Sequence, residues 1–352
     1  SLFSIIFMIG GFIFPEKIIF LFNKDPLVIK FGGQYLTIVA ISYIFTGITF
    51  IYSYALRSTG NTVQPLVISI ASLLINIFFN YMLIFGKFGF PALGVRGAAI
   101  ATVIARVAET IILILLIYKS KDILASTIKE LTDFNFDFVK KSYKVIFPVI
   151  LNDICWGLAS LVYAAVYGRI GTQAVAAVQI CNTINNLFMI VGYGLSSSAS
   201  IMIGNSIGEG KEKQGVDYAK KFIFISVITS ILLGILLAIS SPLILNMFNV
   251  SMEVRNSSQA ILYIISFIFF IRISGLVIIV GILRGGGDAS SAFIIEGATM
   301  WFIGVPLVII GAFVFKFPVH IVYALAIAEE LTKCILGLIR IKSGKWIKNL
   351  TS

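Results

Sequence analysis

Histidine, cysteine and charged residues are all scarce in this sequence of 352 residues. The single histidine, His320, excludes a histidine-based metal site or proton relay, and the three cysteines have no zinc-ligand spacing. Only 12% of the residues are charged, against about a quarter in an average soluble domain. An ordinary soluble enzyme is therefore excluded, and so is a disordered chain, which requires few apolar residues and many charges.

Catalytic motifs are missing as well. The sequence contains no HExxH motif and no nucleophile elbow, and Gly285-Gly286-Gly287 lacks the pattern of a phosphate-binding loop. We therefore predict that the protein is not an enzyme and has no cofactor. No metal is expected beyond a transported sodium ion.

Long apolar runs dominate what is present. We find ten, each long enough for a helix to cross a bilayer and none alternating like a membrane β-strand. They cover residues 1–22, 32–57, 65–87, 97–118, 143–169, 174–206, 218–247, 256–283, 291–315 and 318–341. The sequence predicts an all-α polytopic membrane protein whose main partner is the lipid bilayer.

Lysine and arginine in the loops predict the orientation. One set of loops together with the C-terminal tail carries 16 basic residues, and the other set carries 8. Because basic loops stay in the cytoplasm, the C-terminus is predicted to be cytoplasmic in the cell membrane. This distribution also accounts for the net charge of +11 without a nucleic-acid partner.

An internal repeat relates the beginning of the chain to its end. The segment 56–61 resembles 283–288, and at the same offset of 227 Arg106 meets Lys333. The related runs are an even number of helices apart, so the two copies run parallel, as in two-lobed transporters. The first copy has four runs and the second six, which predicts two further helices upstream.

The bounds of the apolar runs and the internal repeat predict the domain organisation. The first lobe covers 1–118, a cytoplasmic linker 119–142, the second lobe 143–342 and a cytoplasmic tail 343–352. We expect the protein to be a monomer.

Asp153 is the first candidate for coupling transport to an ion. It lies about ten residues into its apolar run, ~15 Å along a helix. Ionisable residues inside the membrane cost about 2.5–3.5 kcal/mol on insertion scales and are functional candidates by default. A carboxyl group there could exchange a proton or a sodium ion, or could simply accept hydrogen bonds from neighbouring helices.

Other intramembrane charges fall at pairing distances along a helix. Lys333 follows Glu329 and Glu330 at i+4 and i+3, and Glu109 follows Arg106 at i+3, which favours structural ion pairs. Arg272 also requires a partner, with Asp153 and Glu296 as the proposed ones. Its positive charge would oppose a cationic substrate.

A polar stripe and an aromatic stripe predict a central cavity. Gln179, Asn182 and Asn186 share one helical face, and Glu296 lies about six residues inside its own helix. Aromatic rings, which can hold organic cations, recur on the Asp153 helix at Trp156, Tyr163 and Tyr167. Both stripes could instead serve helix packing or face lipid.

Six stretches in order along the chain resemble the multidrug and toxic compound extrusion (MATE) transporters. They are Ala55-Leu56-Arg57-Ser58-Thr59-Gly60-Asn61-Thr62, Leu93-Gly94-Val95-Arg96-Gly97-Ala98-Ala99-Ile100-Ala101-Thr102, Pro148-Val149-Ile150-Leu151-Asn152-Asp153, Ile203-Gly204-Asn205, Leu283-Arg284-Gly285-Gly286-Gly287-Asp288 and Ser343-Gly344-Lys345-Trp346-Ile347-Lys348-Asn349-Leu350. The resemblance implies twelve helices in two lobes, with this chain beginning in the third. It also implies that Asn76, Asn80 and Thr102 form a first-lobe cation site, although these polar groups could serve interhelical hydrogen bonding.

The predicted function is a secondary active antiporter. It would export organic, amphipathic or cationic small molecules in exchange for protons or sodium ions, by alternating access of two lobes. A flippase for lipid-linked saccharides is the alternative, and it predicts a strongly basic central cavity.

Overall fold

A computed structural model describes residues 2–22, 25–120, 123–127, 130 and 136–348, and every regular element in these ranges is a helix. The chain divides into two units, Ser1–Asp133 and Phe134–Ser352. Parts of the predicted linker, 119–142, and residues 349–352 of the predicted tail lie outside the described residues.

The first unit contains six described helices. They are α1 Leu2–Ile13, α2 Pro15–Phe22, α3 Pro26–Ala40, α4 Ser42–Ser58, α5 Val63–Phe85 and α6 Val95–Lys119. Asp25 begins α3 by accepting a hydrogen bond from the Leu27 backbone N–H, and Pro26 takes the first helical position, where no N–H is needed. Gly86 ends α5 in the left-handed conformation that glycine adopts at little cost.

A small apolar core and a close contact between two helix backbones hold the first unit together. Leu56 from α4 packs with Ile68 of α5 and with Leu113 and Ile117 of α6. The close contact lies near the C-terminal end of α5, where Gly97, in the first turn of α6, faces the Leu83 backbone. A β-carbon on Gly97 would lie 2.6 Å from the Leu83 carbonyl carbon. The missing side chain therefore allows the two helix backbones to approach.

The second unit contains eight described α-helices and two π-helical segments. The helices are α7 Phe136–Ile170, α8 Thr172–Gly208, α9 Glu212–Leu245, α10 Met252–Leu276, α11 Ala289–Thr299, α12 Val305–Phe313, α13 Val319–Leu325 and α14 Ile327–Lys342. The π segment Val277–Leu283 continues α10, and Met300–Gly304 joins α11 to α12. A large apolar core, with Cys181, Ile265 and Phe269 fully buried, joins the helices that surround the candidate site.

The chain after α14 folds back on the turn between the Val277–Leu283 segment and α11. Trp346 is 1% exposed and covers Gly286, where a side chain would collide with the indole ring. The Lys348 backbone N–H donates to the Gly286 carbonyl at 2.8 Å. Buried Asp288 accepts hydrogen bonds from Arg340 Nε at 2.7 Å and from Lys348 Nζ at 2.6 Å. We call this arrangement of residues 284–288 and 340–348 the tail clasp.

The all-helical, polytopic fold class is confirmed, but the number of ten spans is not. Among the described residues, seven helices are long and apolar enough to cross a bilayer, or eight if α3 and α4, bent by 50°, form one span. The first predicted run breaks at Phe14, before Pro15, because proline disfavours helical conformation in the residue that precedes it. The last run divides at Ala326, and its longer half, α14, has only 16 residues and several charges.

Candidate functional site

A cavity of about 430 Å³ lies within the second unit, among α7, α8, α10, α13 and α14. Aromatic, amide and charged side chains share its wall. The lining includes Trp156, Tyr163, Tyr167, Gln179, Asn182, Asn185, Asn186, Arg272, Tyr323, Glu329, Glu330 and Lys333. Six of the seven side chains that the sequence proposed for a cavity, all except Glu296, therefore line this one.

Lys333 is the centre of the charged side of the cavity. Its Nζ lies 3.3 Å from Glu329 Oε1, 3.4 Å from Glu330 Oε2 and 3.9 Å from Glu296 Oε1. The lysine side chain is 8% exposed and that of Glu329 is 7% exposed. The pairing that the i+3 and i+4 spacing predicted is thus present, and a third carboxylate joins it from α11.

Tyr163 and Gly304 complete the surroundings of Glu329. The tyrosine hydroxyl donates to Glu329 Oε2 at 2.8 Å. A β-carbon on Gly304 would collide with this carboxylate oxygen and with the Tyr163 hydroxyl. The glycine therefore leaves the space in which α7 and α14 share a hydrogen bond.

Arg272 faces the same cavity from α10. Its Nε lies 3.8 Å from Glu330 Oε1, and its guanidinium donates to Asn185 Oδ1 at 3.3 Å. The partners proposed from the sequence, Asp153 and Glu296, are wrong for Arg272. Both carboxylates lie instead beside Arg284, because that residue enters from the far end of the Val277–Leu283 segment.

Glu296 lies behind the cavity wall rather than on the lining. It accepts a hydrogen bond from Asn152 Nδ2 at 2.8 Å and lies 3.5 Å from Arg284. The neighbouring Asp153 is 71% exposed, with Arg284 at 4.0 Å. Of the two adjacent polar residues in the α7 motif, the sequence selected the exposed one, and the buried Asn152 has the closer contact with the charge cluster.

Sequence reasoning also missed Asn185 and Tyr323 in the lining. Asn185 precedes the polar stripe residue Asn186, and its own burial at 4% exposure was not visible from spacing. Tyr323 belongs to α13, where the predicted helix breaks, so its position could not be counted from the helix end.

Two of the three residues proposed for a cation site in the first unit are in contact with each other. Asn80 Nδ2 donates to Asn76 Oδ1 at 2.8 Å on α5. Asn80 Oδ1 is buried, and among the described residues it has no hydrogen-bond donor. The Thr102 hydroxyl donates to the Ala98 carbonyl in its own helix. An amide oxygen with unused acceptor capacity is a suitable ligand for a hard cation.

A separate buried charge in the first unit is fully paired. Glu109 lies 2.7 Å from Arg106, and its carboxylate also accepts hydrogen bonds from the Ser69 and Ser72 hydroxyls. It borders a small cavity of about 120 Å³. With its acceptors occupied, Glu109 fits the structural ion pair that the sequence predicted.

Comparison with known proteins places this arrangement in a family. The model of the MatE family matches residues 1–82 and 148–338. The probable multidrug resistance protein NorM of Thermotoga maritima is 26% identical over 327 residues, which cover 93% of this chain and 70% of that protein. The uncharacterized transporter YisQ of Bacillus subtilis is 27% identical, with 84% of this chain and 65% of that protein covered.

Solved structures agree on the fold. A mutant of the Vibrio cholerae MATE transporter VcmN matches 99% of this chain and 78% of that chain with a TM-score of 0.85 at 17% identity. A MOP superfamily transporter from Pyrococcus furiosus matches 100% of this chain and 77% of that chain with a TM-score of 0.88 at 15% identity. The helices, the family model and the relatives lead to one conclusion: this chain belongs to the MatE family of membrane transporters and is not an enzyme.

Proposed function

We propose that the protein is a secondary active antiporter that exports amphipathic organic compounds in exchange for protons or sodium ions. The observation that carries this proposal is the cavity of the second unit, in which aromatic faces, amides and paired charges meet among helices of which α7, α8 and α10 are long enough to cross a bilayer. Such a mixture suits ligands with an apolar body and a few polar groups.

The relatives supply the substrate class of the proposal. NorM of Thermotoga maritima is named a probable multidrug resistance protein, and so is YoeA of Bacillus subtilis. A cavity of about 430 Å³ with aromatic and polar walls is consistent with binding of several drug-sized molecules.

Ion coupling is assigned to two places. Asp153 offers an exposed carboxylate on α7, and the Asn76/Asn80/Thr102 group offers oxygen ligands in the first unit. Ion binding at either place would favour the conformation that releases substrate, and alternating access would return the empty carrier.

The test is export of dyes from vesicles that contain the protein, under a proton gradient and under a sodium gradient imposed separately. Ethidium, tetramethylrhodamine and tetramethylrhodamine methyl ester form the panel. Export that responds to one gradient establishes antiport and identifies the ion. No response from any dye, with protein present in the membrane, would contradict the proposal.

Asp153→Asn tests the coupling residue. We expect it to abolish gradient-driven export while the protein remains in the membrane, because the amide cannot exchange a proton and binds sodium weakly. Asp217→Asn, at an exposed acidic residue of α9, is the matched control and should export normally. Normal gradient-driven export by the Asp153 variant would remove this residue from the coupling mechanism.

The flippase alternative is less well supported. Recognition of a pyrophosphate requires several unpaired cations. The cavity lining contains two cationic side chains, Arg272 and Lys333, and two carboxylates, Glu329 and Glu330. Its formal charge is balanced, which favours small amphipathic molecules over a polyanionic headgroup.

A further inference from the structure

The two cationic side chains of the cavity differ in how many carboxylates surround them and at what distance. The Lys333 ammonium lies within 3.9 Å of three carboxylates. Among the described residues, Arg272 has one carboxylate nearby, Glu330, and at 3.8 Å from Nε this group is beyond hydrogen-bond distance. Glu330 also lies closer to Lys333, at 3.4 Å. The shorter contacts of the acidic groups are therefore with the lysine, and the contact with Arg272 is the longer one.

The guanidinium of Arg272 retains donor capacity toward the cavity. In the part of the chain that the structure describes, its hydrogen bond is to a neutral oxygen, Oδ1 of Asn185, at 3.3 Å. Among the described residues, no carboxylate meets it in the two-bond geometry that arginine and carboxylate prefer. The Arg272 side chain is 29% exposed and lines the cavity, so part of its guanidinium is accessible from the cavity.

The acidic side of the cavity is a poor site for a simple organic cation. Glu329 accepts from Tyr163 at 2.8 Å and lies 3.3 Å from Lys333, so its charge is already compensated. A substrate cation approaching this side would also meet the Lys333 ammonium. A substrate carboxylate, in contrast, would meet an arginine with charge-assisted hydrogen bonds still to form.

Aromatic groups across the cavity complete the site. Trp156 is 56% exposed and lines the cavity with Tyr163 and Tyr167, and Asn182 and Asn186 add neutral donors and acceptors. A flat apolar body, with or without a delocalised positive charge, can lie against these rings while a carboxylate reaches Arg272.

We propose that the cavity of the second unit selects amphipathic substrates that bear a carboxylate, including zwitterions, and that Arg272 is the residue that binds this carboxylate. The inference rests on the proposed export function and narrows its substrate class.

Tetramethylrhodamine and its methyl ester test the inference, since they share one fluorophore and differ in a free carboxylate. Binding of each dye to the purified protein is followed by fluorescence polarisation. We expect the acid to bind at least about tenfold more tightly than the ester, a difference of ~1.4 kcal/mol. Equal affinity, or tighter binding of the ester, would overturn the inference without any variant.

Arg272→Gln should weaken binding of the acid about tenfold and leave binding of the ester within about twofold. Arg272→Lys should bind the acid with an affinity between those of the original protein and of Arg272→Gln, because lysine keeps the charge and lacks the paired donors of the guanidinium. Arg169→Gln, at an exposed arginine of α7, is the matched control and should change neither affinity. Thermal unfolding of each variant separates loss of the site from loss of the fold.

The outcomes separate this inference from the proposed function. Binding and gradient-driven export of the ester alone would contradict the role of Arg272 and leave the antiporter proposal standing. If neither dye binds nor moves, the antiporter proposal fails and the inference fails with it. An equal loss of both dyes in a folded Arg272→Gln protein would make Arg272 a structural residue of the cavity and overturn its selectivity.

Discussion

Lys333 is surrounded by three carboxylates in an environment where an isolated charge of either sign would be costly. The ammonium contacts Glu329, Glu330 and Glu296, and the nearest two are on its own helix. Removing one member of such a buried pair is more destabilising than removing both, because the remaining charge has neither water nor partner. The cluster thus stabilises the packing of α14 against α11 and α7.

A double-mutant cycle at Lys333 and Glu329 measures this coupling. We expect Lys333→Met to lower the free energy of unfolding by about 3–5 kcal/mol, since it leaves buried carboxylates uncompensated. Combining it with Glu329→Gln should cost less than the sum of the single changes by at least ~1 kcal/mol. Unfolding in mixed micelles gives the values.

Lys213→Met is the control for that cycle. Lys213 is exposed near the start of α9, so its replacement should stay within about 0.5 kcal/mol of the original protein. If the free-energy changes of the Lys333 and Glu329 variants are strictly additive, the two charges are not energetically coupled and the prediction is wrong.

Residue spacing predicted the contacts within a helix and missed those between helices. Glu329 and Lys333 are neighbours because four residues bring side chains to one face, which can be read directly from the sequence. Arg272 and Glu330 meet across two helices, and Asn152 meets Glu296 across another pair. These distances depend on helix rotation and separation, for which one sequence offers no measure.

At the scale of elements, the close approach of α5 and α6 depends on Gly97. We expect Gly97→Ala to lower the free energy of unfolding by about 1–3 kcal/mol, because the new methyl group would meet the Leu83 backbone. Thermal unfolding of the purified protein measures the effect.

Gly157→Ala is the matched control, as no atom from another part of the chain lies within 4 Å of the position of its β-carbon on α7. Alanine favours helix over glycine by about 1 kcal/mol, so this change should be neutral or stabilising. Equal destabilisation by both changes would show that the loss does not come from the close approach of α5 and α6.

Asp288 in the tail clasp predicts an acid-sensitive contact. Burial alone would raise its pKa, but hydrogen bonds from Arg340, Lys348 and Ser291 lower the pKa below its ordinary value. A carboxyl whose folded pKa is depressed contributes stability above its unfolded pKa, about 3.9, and that contribution is lost as the pH falls through the folded value.

We therefore expect the original protein to lose thermal stability below about pH 4 more steeply than Asp288→Asn. At neutral pH the variant should be less stable by about 2 kcal/mol, less than for a fully buried pair, because Lys348 is 45% exposed. Unfolding temperatures between pH 3 and pH 7 give both quantities. Parallel curves for the two proteins would exclude Asp288 as the source of acid sensitivity.

Apolar runs predicted where most helices lie. The breaks and π-helical segments within those runs were harder to predict from the sequence. Pro15 signals the break between α1 and α2, since proline constrains the residue before it. The π-helical segment Met300–Gly304 also has a proline beside it, because Pro306 lacks the N–H that would bond the Phe302 carbonyl. The break at Ala326 and the π-helical segment Val277–Leu283 have no proline within them, so the sequence offers no such signal there.

For the whole molecule, the surface agrees with a bilayer and the orientation stays a prediction. Large aliphatic side chains are exposed along α9, among them Ile235, Leu236, Ile239 and Leu243, as expected where lipid replaces water. The excess of lysine and arginine, 16 against 8, predicts a cytoplasmic C-terminus.

Reporter fusions in bacterial cells check that orientation. Green fluorescent protein joined after Ser352 should fluoresce, since it folds in the cytoplasm. Alkaline phosphatase joined after Lys316, in the loop between α12 and α13, should be active, because that loop belongs to the opposite set. The reverse pattern of activities would overturn the assignment.

The tail clasp also determines how the second unit responds to a pulling force. Lys348 and Gly286 are joined by a backbone hydrogen bond, so α11 to α14 lie within a loop whose two ends are fastened together. A force applied at the C-terminal end reaches α14 only after Trp346 has been withdrawn from Gly286. Under such a force, we expect the indole to leave Gly286 before the helices that line the cavity are extracted from the bilayer.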